Sequence, residues 1–217
     1  MTPTTLLRQF DTVRLIPARF RPSEGSLRRI AADPSLLAAL AALTSDGLTA
    51  MRNRLPGIGL DELVAHIPGS DVINASFIHA NPAGSRFNGP DRGAWYAALA
   101  LETAQAEMIH HKAVEYAEIN RFDDSVTYDA YLGDFSAVLH DLGGNPECLD
   151  PDSYDASQTL AQQHLNARSL GVIYPSVRHA GGTCVACFRP ALIGNLRRDA
   201  NYRFTWSGRP VPTIARV

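Results

Sequence analysis

Apolar residues recur every three or four positions in several segments of the chain, which is the spacing of one face of a helix. The clearest stripe joins Leu101, Ala104 and Met108. Another segment has typical helix boundaries, with Asp33 as the N-terminal cap, a proline next to it and Gly47 as the stop. The pattern predicts helices at 33–47, 60–67, 101–122 and 157–171.

Elsewhere apolar and polar residues alternate, as they do in a half-buried strand. The segment VINASFIHA places Val72, Asn74, Ser76 and Ile78 on one face. Residues 172–190 contain two such runs around a His-Ala-Gly-Gly turn, which is typical of a hairpin. The pattern predicts strands at 12–20, where Pro17 limits the extent, at 72–80, at 94–100, on both sides of the turn in 172–190, and around 202–206.

Two segments rich in Asn, Pro and Gly are predicted to be loops, at 81–93 and 143–154. Helices and strands are mixed without a regular β-α-β order. The predicted fold class is therefore α+β, with a mixed sheet flanked by helices. We expect a single domain over 1–217, with a helical N-terminal part at 26–68 and a C-terminal tail at 191–217.

The composition is that of a soluble globular protein, with 45% hydrophobic and 19% charged residues. The formal net charge of −2 provides no basic surface for nucleic acid or acidic lipid. The first twenty residues lack the apolar core of a signal peptide, and no window approaches the roughly 18 apolar residues of a membrane helix. We therefore expect a cytoplasmic protein that binds neither nucleic acid nor a membrane directly.

The three cysteines are an odd number, which argues against a disulfide framework. Cys184 and Cys187 have the spacing of a zinc half-site or a redox pair, and His179 lies nearby in the sequence. A second pair of cysteines is missing, and the flanking residues alternate like a strand. We expect buried or half-buried thiols and no metal.

The segment SRFNGPDRGAWYAALALETAQAE contains a cation, a phenol and a carboxylate, namely Arg86, Tyr96 and Glu107. Arginine binds phosphate oxygens with a planar fork of donors, and tyrosine can stack on a flat ring. A glutamate on an otherwise apolar helix face can hold a sugar hydroxyl or stabilise a developing positive charge. The three would suit a dinucleotide, although each alone is also common as a surface or core residue, and the segment lacks the GxGxxG fingerprint.

Three blocks of the sequence resemble the RES-domain family, which is named for its Arg, Glu and Ser. They are RLIPARF, INASFIHANPAGSRFNGPDRGAWYAALALETAQAEMIHH and GVIYPSVRHAGGTCVACFRP, in that order, over about 13–190. The resemblance implies an ADP-ribosyltransferase-like fold and NAD as the substrate. It also implies the toxin of a bacterial toxin–antitoxin pair.

Carried over by position, the resemblance assigns catalytic roles to Glu107, Arg86, Ser176 and His111, and cofactor-binding roles to Arg14, Arg19, Tyr96 and Asn88. The arginines would bind the pyrophosphate, and Tyr96 would pack against the nicotinamide or its ribose. Glu107 would stabilise the sugar cation, and Ser176 would orient the nicotinamide or the incoming nucleophile. His79 and Arg178 are weaker candidates, and we expect structural roles for His110, His140 and His164.

The implied function is a toxin that cleaves the nicotinamide–ribose bond of NAD and transfers ADP-ribose to phosphate, water or a protein. The partners implied are a cognate antitoxin, expected to contain a helix-turn-helix, and in one reading a protein target. A strictly target-dependent protein ADP-ribosyltransferase is the alternative within the enzyme class. A non-catalytic module that binds a nucleotide or a partner is the alternative outside it.

Overall fold

The computed structural model describes residues 2–21 and 57–217. These residues form a seven-stranded sheet and three α-helices. The strands, in chain order, are β1 (Thr4–Pro17), β2 (Trp95–Ala98), β3 (Asp123–Asp141), β4 (Gly171–Pro175), β5 (Thr183–Cys187), β6 (Gly194–Ser207) and β7 (Thr213–Arg216). The helices are α1 (Ser70–Ile78), α2 (Leu101–Glu118) and α3 (Asp155–Asn166). The α+β class and the mixed sheet flanked by helices are confirmed.

Five of the strands close into a ring. The sheet order is β1-β2-β5-β4-β3-β6-β7, and β1 also pairs with β3 along most of its length. The β3–β4 pair is parallel, and the other pairs are antiparallel. Because β1 contacts both β2 and β3, the two ends of the five-strand run meet. β6 and β7 extend the sheet beyond β3.

The sheet is buried on both faces. Along β5, Cys184 and Ala186 belong to one hydrophobic core, and Val185 and Cys187 belong to the other. Successive side chains of a strand point to opposite faces, so this alternation follows from the backbone. α2 and α3 pack on the first face, and α1 packs on the second. The arrangement explains why the central strands read as nearly continuous apolar runs.

Strand β3 is the longest element and was missing from the sequence-based prediction. Its residues SVTYDAYLGDF alternate between exposed and buried positions only in part, because register shifts interrupt its pairing with β6. Such bulges break the two-residue period from which a strand is predicted. The strand connects both halves of the sheet by pairing with β1, β4 and β6.

The prediction of a strand at 72–80 was wrong, because these residues form α1. Ile73 and Phe77 are fully buried and lie four positions apart, on one helical face. The side chain of Asn74 is also buried, where it exchanges hydrogen bonds with the backbone N–H and carbonyl of Val64. The alternation that suggested a strand therefore reflects one buried polar residue within a helix.

The other predicted elements are found, with shifted bounds. The strand predicted at 12–20 is β1, which begins at Thr4 and ends at Pro17, and the one predicted around 202–206 is part of β6. The helix predicted at 60–67 is only a short 3-10 turn, Leu60–Glu62. The hairpin, the strand at 94–100 and the helices at 101–122 and 157–171 are confirmed as β4–β5, β2, α2 and α3, each within a few residues. The helix predicted at 33–47 lies outside the described residues.

An ion cluster fastens the start of the 57–217 segment to the rest of the domain. Glu62 accepts two hydrogen bonds from Arg92, each of 2.9 Å, and one from Arg189. Arg92 also donates to the backbone carbonyls of Gly57 and Phe188. The bond from Arg92 is the largest cause that lowers the pKa of Glu62, to about 2. The cluster therefore depends on the ionised carboxylate.

We expect Glu62→Gln to lower the free energy of unfolding at pH 7 by about 2 kcal/mol, with an allowance for the partial exposure of the carboxylate. Because the folded-state pKa of about 2 lies below the ordinary 4.5, this stabilisation is complete above about pH 4.5 and declines as the pH falls toward 2. Urea unfolding at several pH values measures it. Glu147 is exposed, so Glu147→Gln is the control. If the difference in the free energy of unfolding between wild type and Glu62→Gln stayed constant down to pH 3, the prediction would be contradicted.

Candidate active site

A cavity of about 230 Å³ lies among β1, β2, β5, α2 and the loop that precedes β2. Most of its wall is apolar, formed by residues such as Val13, Ala98 and Met108. Five of the residues predicted from the sequence also line it: Arg14, Arg86, Tyr96, Glu107 and His111. The closure of the strand ring therefore brings together side chains from positions 14 to 111.

Glu107 lines this cavity, and Ser176, which is not part of the described cavity wall, contacts it directly. Ser176 follows the last residue of β4, and its Oγ donates to Oε1 of Glu107 over 2.6 Å. The same Oγ accepts the backbone N–H groups of Arg178 (3.1 Å) and His179 (3.0 Å). Because those two contacts use the lone pairs of the hydroxyl, its proton is directed to the carboxylate. Ser176 therefore holds Glu107 in place as a donor.

Cys184 lies beside the same carboxylate. Its Sγ is 3.9 Å from Oε1 of Glu107, and its side chain is buried. Burial raises the pKa of the Cys184 thiol to about 12, and the negative charge of Glu107 acts in the same direction. The thiol is therefore protonated near neutral pH and acts as a weak donor to the carboxylate.

Arg86 is held by the backbone and by an aromatic ring. Its Nη1 donates to the carbonyls of Cys148 (3.2 Å) and Asp150 (2.7 Å), and its guanidinium lies 4.7 Å from the centre of the Tyr154 ring. The side chain is buried, with 7% exposed. Nε and Nη2 donate no hydrogen bond to any described residue. A cation is thus fixed at the cavity wall with one donor edge still free.

Tyr96 contributes its ring to the cavity and its hydroxyl to the loop that carries Arg86. The hydroxyl accepts the N–H of Phe87 (2.9 Å) and donates to Oδ1 of Asn88 (2.8 Å). Burial raises the pKa of Tyr96. The neutral phenol therefore ties the loop to β2.

A sequence match identifies the family. A family model described as the RES domain matches residues 63–207. The chain belongs to the RES-domain family. The resemblance predicted over about 13–190 overlaps this match from residue 63, so Arg14 and Arg19 lie outside the matched range while the other predicted site residues lie within it.

A solved structure has a similar fold. It is titled "Crystal structure of the M.tuberculosis MbcT-MbcA toxin-antitoxin complex" and has a TM-score of 0.51. The sequences are 14% identical, and the similarity covers 93% of this chain and 87% of that chain. A search of curated proteins finds none with significant sequence similarity. At this identity the likeness concerns the fold.

Arg14 and Arg19 were both predicted to bind the pyrophosphate, but the structure places the two side chains in different surroundings. Arg14 on β1 is part of the cavity wall, and its guanidinium lies 4.7 Å from the centre of the Trp95 ring, outside that wall, and donates to the carbonyl of Tyr96. Burial lowers the pKa of Arg14 to about 10, which leaves it protonated at pH 7. Arg19 is exposed, stacks on Phe20 and does not line the described cavity wall. The cofactor-binding role of Arg19 stays a prediction, and the structure places its guanidinium against the exposed ring of Phe20.

The cofactor-binding role of Asn88 also stays a prediction. This residue is 3% exposed and contacts the Tyr96 hydroxyl, and it is not part of the described cavity wall. It supports Tyr96 from behind and does not face the space where a cofactor would bind.

His111 lines the cavity one helical turn after Glu107. Desolvation lowers its pKa, and Arg178 and Arg86 add to the effect while the nearby Glu107 opposes it. His111 is therefore neutral near pH 7. Of the weaker candidates, His79 is exposed at the end of α1, and Arg178 donates to the carbonyl of Pro151.

The histidines predicted to be structural lie outside the described cavity wall. His140 and His164 stack on each other with their ring centres 3.9 Å apart. His110 follows Glu107 on α2, with its ring 5.8 Å from that of His111.

Sequence reasoning missed Tyr154, Tyr174 and Cys184 as residues of the cavity wall. Tyr154 lies in a segment predicted only as a loop, and its contact with Arg86 joins positions far apart in the chain. Tyr174 directly precedes Pro175 and Ser176, and its ring packs edge-on against Phe87. No local pattern distinguishes these residues from ordinary core aromatics or thiols.

All three cysteines are buried and free, as predicted. Cys184 and Cys187 lie three positions apart on β5, so they point to opposite faces of the sheet and cannot bind one ion together. Among the described residues, no cluster of three potential metal ligands is found, and no helix has the length and apolar character needed to cross a bilayer.

We expect Tyr96→Phe to lower the free energy of unfolding by about 2 kcal/mol, because it leaves the Phe87 N–H and the Asn88 carbonyl buried without their partner. Tyr202→Phe is the matched control, since its hydroxyl has no hydrogen bond to a described residue. Chemical denaturation of both variants measures the difference. If both variants lost the same free energy of unfolding, the Tyr96 hydroxyl would not stabilise the loop as we infer.

Proposed function

We propose that this RES-domain protein is an NAD-consuming toxin that cleaves the nicotinamide–ribose bond. The observation that carries the proposal is Glu107, which lines the cavity together with the buried cation of Arg86 and accepts a hydrogen bond from Ser176. A carboxylate fixed by a donor, a fixed cation and an aromatic ring are the groups that such a substrate requires.

Cleavage of the nicotinamide–ribose bond passes through a ribose with oxocarbenium character, as in glycoside hydrolysis. A carboxylate aligned in advance stabilises that cation more effectively in an apolar site than in water. Glu107 meets both conditions, because Ser176 and Cys184 hold one of its oxygens and the apolar side chains of Ala104 and Met108 line the same cavity. Glu107 would therefore supply the main electrostatic stabilisation of the transition state.

The size of the cavity indicates which part of NAD it receives. About 230 Å³ is below the roughly 300–1,000 Å³ of a pocket that encloses a complete drug-sized ligand. The nicotinamide riboside half would enter beside Tyr96, and the pyrophosphate would lie at the mouth near Arg86 and Arg14. His111, neutral near pH 7, would accept a proton from the attacking nucleophile.

The acceptor of the ADP-ribosyl group determines the name of the reaction. Phosphate would give ADP-ribose 1″-phosphate, water would give ADP-ribose, and a protein side chain would give transferase activity. Transfer to a specific protein target is the second candidate within the enzyme class. No metal takes part in this scheme, which uses only the described side chains.

A cognate antitoxin is the expected partner, because an enzyme that consumes NAD would arrest its own cell unless it were blocked. The structural neighbour supports this partner, since it was solved as a toxin–antitoxin complex. We propose an antitoxin with a helix-turn-helix segment that covers the mouth of the cavity, and a cytoplasmic site of action for both proteins.

We expect Glu107→Gln to lower kcat for nicotinamide release from NAD by about 100-fold or more, because the neutral amide cannot stabilise the sugar cation. Glu118→Gln at the exposed C-terminal end of the same helix is the control and should retain full activity. Release of nicotinamide by the purified protein, followed by chromatography with and without phosphate, measures both the rate and the product.

The same assay separates the alternatives. Nicotinamide release without any added protein supports degradation of free NAD. Release that requires added cell extract, with a labelled protein as product, supports the target-dependent transferase. If no nicotinamide were released under either condition, the enzymatic proposal would be wrong. The alternative would then be a non-catalytic module that binds a nucleotide or a partner protein.

Expression in bacteria tests the toxin assignment separately. We expect the wild-type chain and Glu118→Gln to arrest growth within a generation or two and Glu107→Gln to permit it at the same protein level. Intracellular NAD should fall before growth stops. Growth arrest by Glu107→Gln equal to that of wild type would exclude NAD cleavage as its cause.

A further inference from the structure

The helix that carries Glu107 and the turn that carries Ser176 are joined by a second side-chain contact. Oγ1 of Thr103 and Nδ1 of His179 are 2.9 Å apart. Thr103 lies four residues before Glu107 on the same face of α2, and His179 lies three residues after Ser176. The two contacts therefore run in parallel between the same two segments.

The environment of Thr103 is built for this contact. Its side chain is 1% exposed, and its hydroxyl makes no hydrogen bond to the backbone of its own helix among the described residues. A Cβ added to Gly182 would lie 2.6 Å from Oγ1 of Thr103 and 3.0 Å from Nδ1 of His179. Only glycine leaves enough room at position 182 for the two side chains to meet.

The turn at Ser176 depends on His179 through its backbone as well. The N–H of Ser176 donates to the carbonyl of Gly182, and the N–H of Gly182 donates to the carbonyl of His179. The N–H of His179 donates to Oγ of Ser176. Fixing the His179 ring against α2 therefore fixes the amide that sets the direction of the Ser176 hydroxyl.

We propose that Thr103 and His179 are positioning residues, whose hydrogen bond sets the distance and orientation of the Glu107–Ser176 pair. The catalytic part of this inference rests on the function proposed above. Misplacement of a catalytic group by about 1 Å can cost about 100-fold in rate, so a contact of this kind affects turnover more than substrate binding.

The test uses two pairs of variants of the full chain. Thr103→Val and His179→Leu remove one partner each. Thr103→Ser keeps the hydroxyl, and His179→Asn keeps a polar atom at the position of Nδ1. We expect the first pair to lower kcat for nicotinamide release about 10- to 100-fold with KM changed less than about 3-fold, and the second pair to stay within about 3-fold of wild type.

A double-mutant cycle adds a stricter criterion. If the two side chains act as one unit, Thr103→Val combined with His179→Leu should be no slower than the slower single variant. Thr127→Val on β3, which makes the same chemical change away from the cavity wall, is the control and should leave kcat unchanged. Multiplicative losses in the double variant, or equal losses in Thr103→Val and Thr103→Ser, would overturn the proposal.

Amide hydrogen exchange gives a readout that does not depend on NAD. We expect the amides of Arg178, His179 and Gly182 to exchange at least about 10-fold faster in Thr103→Val than in Thr103→Ser, with β3 unchanged. Unchanged exchange would overturn the positioning role. If wild type releases no nicotinamide but exchange accelerates as expected, the proposed function fails and the positioning contact stands.

Discussion

The hydrogen bond between Ser176 and Glu107 is the contact on which the proposed site depends, and it joins residues 69 positions apart. Neither side chain can reach the other unless β4 lies at the right depth beneath α2. That depth is set by the antiparallel pairing of β2 with β5 and of β5 with β4, whose registers place Ala98 opposite Cys184 and Cys184 opposite Tyr174. The strand ring is therefore a condition for the chemistry.

Electrostatics explains why the site needs so many supporting contacts. A carboxylate beside buried apolar groups is costly unless donors satisfy it, and cations near it must be held so that they do not form an ion pair with it. Here Ser176 and Cys184 donate to Glu107, while Arg86 and Arg14 are retained by carbonyls and aromatic rings. Each charge is therefore held by its own set of contacts.

Several features of the fold follow from local sequence patterns. The stripe on α2, the hairpin β4–β5 and strand β2 were predictable because their periods are regular. Strand β3 was missed because bulges interrupt its period, and α1 was taken for a strand because the polar side chain of Asn74 is buried. Local patterns cannot report a register shift or a hydrogen bond to a segment ten residues away.

The residues of the candidate site also fall into those that could be predicted from the sequence and those that could not. Arg86, Tyr96, Glu107 and Ser176 were found through the resemblance to the RES-domain family, because they occupy sequence blocks. Tyr154 and Cys184 come to the cavity only through tertiary packing, and nothing in their local sequence indicates it. Arg19 lies in a block but faces a surface ring, so membership of a block does not determine where a side chain points.

Among the described residues, Arg86 holds its loop with only one nitrogen of its guanidinium. Its Nη1 donates to the carbonyls of Cys148 and Asp150, and the edge formed by Nε and Nη2 donates to no described residue. In this same protein that edge of Arg21 binds the carboxylate of Asp129 through two bonds, of 3.0 and 2.6 Å. A phosphate offers oxygens in a similar geometry. Because lysine has neither the second edge nor the planar fork, it could not replace Arg86 in both tasks.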